Sequence, residues 1–111
     1  MEEKYLGKII NVEFGQDSDR PFMFGLQLTF GFEGGGVTDG GQYTFNLNNE
    51  PWLKSGKYKD KWIYIEDQMI FIDKILTDAK VNYVSQLKGK PIEVIIENQI
   101  FKDFRILTEV L

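Results

Sequence analysis

Phe22 to Phe32 reads FMFGLQLTFGF and runs without a break into Glu33 to Gly41, EGGGVTDGG. Phe22, Phe24, Leu26, Leu28, Phe30 and Phe32 recur at every second position, with Met23, Gly25, Gln27, Thr29 and Gly31 between them. That period predicts a strand with one large apolar face turned to the core. Gly25 and Gly31 on the reverse face leave room for a bulge or a close backbone approach. The window from Gly31 to Gly41 holds six of the chain's eleven glycines. Glycine loses more freedom on folding than any other residue, so such a window marks a site, a hinge or slack. Beyond it Tyr43, Phe45 and Leu47 alternate with Gln42, Thr44 and Asn46. Gly34 to Gly41 therefore reads as a long connection between two hairpin strands.

Working outward, Lys8 to Phe14 predicts a strand with Ile10, Val12 and Phe14 on one face and Asn11 and Glu13 on the other. Gln16 to Pro21 is a polar turn, and Pro21 holds Arg20 in extended or turn geometry. Asn48 to Pro51 ends the strand after the glycine window. Four lysines, Lys54, Lys57, Lys59 and Lys61, then precede a change of period. Trp62, Ile65, Met69, Ile72, Leu76 and Ala79 recur at three and four, the stripe of a helix reaching about Lys80. Asp60 is a candidate cap, or Glu66 and Asp67 belong to the first turn of a helix that starts later. The run WIYI, Trp62 to Ile65, also has strand composition, so the start stays open. Val81 to Leu87 is a connection with room for a helical turn, closed by Gly89 and Pro91. Ile92, Val94 and Ile96 form an alternating strand, Asn98 and Gln99 a tight turn, and Phe101 to Leu111 a last strand with Phe104, Ile106, Thr108 and Val110 on one face. The expectation is a single α+β domain over residues 1–111, with about five antiparallel or mixed strands packed against one main helix.

Composition narrows the chemistry. The chain has 111 residues, 42% apolar and 27% charged, a globular balance. It has neither cysteine nor histidine. His/Cys zinc sites and Ser-His-Asp or Cys-His nucleophiles cannot be built from it, and no disulfide can form. The N-terminal MEEKYLGK lacks the apolar run of a signal peptide, and no stretch approaches the roughly 18 apolar residues of a membrane helix. A net charge of −4 argues against general nucleic-acid binding. The expected setting is the cytoplasm, with no cofactor and no metal.

The glycine window is the leading candidate site, comprising Glu33, Gly34, Gly35, Gly36, Thr38 and Asp39. It lacks the lysine of a Walker A loop, the spacing and following helix of a dinucleotide-binding loop, and the ligand pattern of a calcium loop. Its successive amides suit an anion-binding nest with help from Thr38, or a mobile contact loop. Glu33 and Asp39 would need to converge for acid–base work or Mg²⁺ binding; otherwise they keep the loop soluble. Arg20, one of two arginines, has the fork to grip a carboxylate or phosphate. Asp17 and Asp19 flank Ser18 beside it, and Tyr43 follows the window as its nearest aromatic. The lysines with Trp52, Tyr58 and Trp62 resemble a stacking nucleic-acid patch but read better as a solvated face. Trp62, Met69 and the isoleucines read as core; if part of that stripe is left exposed, it becomes a dimer face.

GLQLTFGFEGGGVTDGG and the C-terminal DAKVNYVSQLKGKPIEVIIENQIFKDFRILTEVL together resemble a family of small bacteriophage and prophage proteins of uncharacterised function. The matching positions are Gly25, Gln27 and Thr29 in the strand and Gly36, Val37 and Asp39 in the window. Asp78-Ala79-Lys80-Val81, Gly89-Lys90-Pro91 and Ile106-Leu107-Thr108-Glu109 match further on. Relatives carry an aromatic inside or just past the window where this chain has only glycines and Tyr43. The resemblance implies a phage context in a bacterial host and supplies no catalytic residue. The expected function is a non-enzymatic interaction protein that binds a host macromolecule, a host protein above all. The alternative is an oligomer that sequesters a small, nucleotide-like anion. A homodimer or higher oligomer fits either.

Overall fold

The period-two run builds β2, Met23–Phe32. Leu26, Leu28 and Phe30 on its apolar face are fully buried, each contributing about 1.5–3 kcal/mol by leaving water. The computed structural model describes residues 2–46 and 61–111. It shows an α+β fold, with a six-stranded antiparallel sheet and one main helix among the described residues. Leu47, the Asn48–Pro51 stop, Trp52, Lys54, Lys57, Tyr58, Lys59 and the Asp60 cap lie outside the described residues, as does the side chain of Lys61.

β1 spans Glu2–Gln16, longer at both ends than the predicted Lys8 to Phe14. Its first half pairs with β5, Pro91–Glu97, and its second half with β2. The β1–β5 ladder stops at Lys8 opposite Pro91, which has no N–H to donate. Just beyond it, Ile9 N–H donates to Lys90 O at 3.0 Å and Gly89 N–H to Ile9 O at 2.7 Å.

The register of β1 corrects the sequence reading. Ile9 sits opposite Phe30, but the next paired residue is Asn11, opposite Thr29. Ile10 is the extra residue of a bulge, and the bulge inverts the side-chain phase. Ile9 takes the buried place expected for Ile10, while Val12 packs against the core one step later. Ile10 turns to the other face and lies over Gly31, where a Cβ would meet Ile10 Cγ2 at 2.8 Å.

The glycine window is not one long loop. Glu33 and Gly34 make a tight turn, and β3, Gly35–Thr38, returns along Phe32 to Thr29. The chain then leaves the sheet over residues 39–43 and rejoins the same edge of β2 as β4, Thr44–Asn46, opposite Met23 to Gly25. Gly25 admits that return: a Cβ there would stand 2.5 Å from the Tyr43 carbonyl oxygen, and its φ is +146°.

α1, Lys61–Ala79, begins with a helix rather than the WIYI strand. Its buried stripe is rotated from the predicted one. Ile72, Ile75 and Ala79 are buried and Phe71 stacks on Tyr43 at 4.5 Å, whereas Trp62 and Met69 are exposed. The helix closes with Lys80 at φ +60°, Val81 N–H donating to Leu76 O and Lys80 N–H to Thr77 O. That is the left-handed helix stop usually given to glycine. A 3₁₀ turn at Val84–Leu87 follows, and Asn98 and Gln99, both at positive φ, turn β5 into β6, Ile100–Ile106. The last strand ends there, not at Leu111, because Thr108–Val110 coils into a 3₁₀ turn that leaves Thr108 and Val110 exposed. The strand order is β3-β2-β1-β5-β6, with β4 beside β3 on β2. Helix and buried side chains occupy one face of this sheet. Among the described residues, no element covers the other face.

Candidate functional site

Between β3 and β4 the edge of β2 loses its strand partner, and Asp39 replaces it. Leu28 N–H donates to Asp39 Oδ2 at 2.9 Å, and Leu28 O accepts from Asp39 N–H at 3.1 Å. Leu26 N–H donates to Tyr43 O at 3.2 Å, so the ladder continues on both sides of the excursion. The second carboxylate oxygen accepts from Gly41 N–H at 2.9 Å. Gly40 and Gly41 stand at φ +67° and +82°, which folds the loop back over the carboxylate. Thr44 Oγ1 donates to Gly41 O at 2.8 Å and closes the turn. Asp39 is only 5% exposed. Burial pushes its carboxyl above the ordinary value, against the two amide bonds that hold it down.

The opposite wall is the β1–β2 turn. Asp17 Oδ1 accepts from Asp19 N–H at 2.8 Å and from Arg20 N–H at 3.1 Å, and the Asp19 amide is the main reason the Asp17 carboxyl is held low. Arg20 Nη2 lies 3.5 Å from Asp17 Oδ2 and leans over the bare Cα of Gly41, whose Cβ would come within 2.8 Å of it. Turn and loop face each other across a cleft of about 310 Å³, floored by Glu13, Gln27, Leu28 and Thr29.

Arg20, Thr38 and Asp39 thus meet in one place, though they are far apart in sequence. The remaining candidates do not join them. Glu33 and Gly34 form the far turn, and Gly35 and Gly36 are strand residues. The length of β3, about 13 Å at strand rise, separates Glu33 from Asp39, so the two carboxylates do not converge. Tyr43 lies in the core, T-shaped to Phe104 at 6.1 Å, and its hydroxyl has no hydrogen-bond partner among the described residues. Burial, then the charges of Asp103 and Asp39, push that phenol well above its ordinary value.

Comparisons with protein-family models, with curated proteins and with solved structures found no match to this chain.

The charge balance of the cleft follows from its lining: Glu13, Asp17, Asp19 and Asp39 against the single guanidinium of Arg20. Such a surface repels a phosphate. Its loop amides are also engaged, Gly41 N–H on Asp39 and Gly40 N–H on Thr38 Oγ1 at 3.4 Å, so neither is held ready for an anion. Glu13, Gln27 and Thr29 were not singled out from the sequence as site residues. Their signal was present in the polar alternates of the two strands, which mark the uncovered face of a half-buried sheet.

Proposed function

We propose that this chain is a small non-enzymatic interaction protein, encoded by a bacteriophage or prophage and acting in the bacterial cytoplasm, where it binds a host protein. The observation that carries the reading is the uncovered sheet face with the cleft at its edge. Leu6, 67% exposed, and the exposed Ile10 stand on that face with Lys4, Lys8, Asn11 and Thr29. Mixed apolar and polar surface of this kind suits a non-obligate protein contact. The polar groups that would do chemistry are committed elsewhere: the Asp39 carboxylate holds two amides, and Arg20 sits on Asp17. The phage context comes from the resemblance of the strand-and-window segment and the C-terminal third.

Affinity capture from host lysate tests this, with the exposed Thr38 at the cleft rim changed to Trp. The expected result is one host protein recovered in stoichiometric amount, lost with Thr38→Trp at an unchanged melting temperature. A panel of linear and cyclic nucleotides should leave the melting temperature unmoved. A nucleotide-dependent rise would overturn the reading in favour of a small-anion binder.

A further inference from the structure

The side of α1 turned away from the sheet carries exposed apolar residues among its acids. Tyr64, Ile65 and Phe71 are half-buried, while Ile63, Met69 and Ile70 are 52%, 41% and 59% exposed, as is much of Trp62. Ile63 and Ile70 are seven residues apart and so fall on one line of the helix, while Met69 lies roughly 100° round from Ile70, beyond Glu66 and Asp73. The sheet covers the opposite side, where Ile72, Ile75 and Ala79 are buried. Three exposed acids, Glu66, Asp67 and Asp73, rim the patch, and none forms an ion pair among the described residues. The neighbouring cation, Lys74, is held by Asp78 at 2.8 Å. Two copies meeting through this face would set three carboxylates against three. A basic helix would meet them with opposite charge.

We propose that the outer face of α1 docks a basic amphipathic helix of a partner protein, with its apolar side on the line of Ile63 and Ile70 and its cations on Glu66, Asp67 and Asp73, which flank that line. The inference rests on the interaction-protein reading only in requiring a partner. Its surface lies across the sheet from the cleft.

The probe is a pair of dye-labelled peptides of roughly 18 residues, about five helical turns, one built from Leu and Lys and the other from Leu and Glu with the same apolar face. Anisotropy against the full chain should show the Leu/Lys peptide bound in the micromolar range, and weakened as salt rises from about 50 to about 500 mM. The Leu/Glu peptide should stay free. Ile63→Asp with Ile70→Asp should weaken binding at least about tenfold at an unchanged melting temperature. The added acids would strengthen a purely electrostatic contact, so a loss reports the apolar face. Thr38→Trp should bind like the wild type. Equal binding of both peptides, or undiminished binding to the double variant, overturns the proposal. So does sedimentation showing a dimer that Ile70→Asp splits, because the occupant is then a second copy. If neither peptide binds while host-protein capture still depends on Thr38, the inference about α1 falls and the interaction reading stands.

Discussion

Removing the Asp39 side chain should uncouple β3 from β4. Among the described residues the carboxylate is the partner of the buried Leu28 N–H, and it also accepts from the half-buried Gly41 N–H, both at 2.9 Å. Asp39→Ala leaves Leu28 N–H unpaired, at a cost of about 1–3 kcal/mol, and removes a charged acceptor from Gly41, which water reaches more easily. Against this stands the desolvation of the carboxylate, which the alanine no longer bears. The balance is a loss of about 2 kcal/mol at neutral pH, a large share of the 5–15 kcal/mol typical of a domain. Asp39→Asn keeps one acceptor but turns an N–H₂ toward the other amide, and should lose about 1 kcal/mol.

The pH dependence has a definite sign. The folded-state pKa of Asp39 lies above 3.8, so between the two values the native chain holds the extra proton. Wild type should therefore gain stability relative to Asp39→Asn as pH falls through the raised value. The gain should be complete below 3.8 and lost again as pH rises through the folded-state pKa. Urea unfolding followed by circular dichroism, run on the three proteins across that range, measures both effects. An Asp39→Ala loss below about 0.5 kcal/mol would refute the stitching role, and a wild-type advantage that shrinks on acidification would refute the dominance of burial over the two amide bonds.

Tyr43→Phe removes a buried hydroxyl with no partner among the described residues while keeping the ring stacked on Phe71, so urea unfolding should show stability unchanged or raised by about 1 kcal/mol. Lys80→Gly relieves a left-handed residue at the end of α1 and should raise stability by about 1 kcal/mol in the same assay. Gly25→Ala drives a methyl group to 2.5 Å from the Tyr43 carbonyl oxygen; a loss of about 2 kcal/mol or more is expected, with amide exchange accelerated in β4 before β1.

β2 was legible because its alternation is unbroken and both neighbours respect it. β5 and the Asn98-Gln99 turn were legible for the same reason. β1 was misphased because one inserted residue, Ile10, looks in sequence like any other apolar position, and only pairing with β2 reveals it. The helix was found, but its stripe was turned, because Trp62, Ile63, Ile65, Met69, Ile70 and Phe71 offer several apolar lines and the stacking of Phe71 on Tyr43 selects one. Arg20 and Asp39 were picked out separately. Their meeting depends on the β1–β2 register and on the chain leaving β2 at Thr38, both products of long-range pairing. A local clue to Asp39 did exist: an aspartate followed by two glycines suits a side chain that folds back onto its own backbone.

The bulge at Ile10 also bears on how the protein behaves when crowded. Past Pro91 the second half of β1 has no strand on its outer side among the described residues, so it offers amides and carbonyls on which another copy can pair. A straight edge of that length is a template for fibres. The extra residue twists the strand where this stretch begins, and a second register break between Ile95 and Ile96 irregularises β6, the outermost strand on that side. Deleting Ile10 would make the ladder regular and straighten the edge while leaving Ile9 and Val12 on the core face, so the deletion variant is expected to fold and then aggregate through that edge.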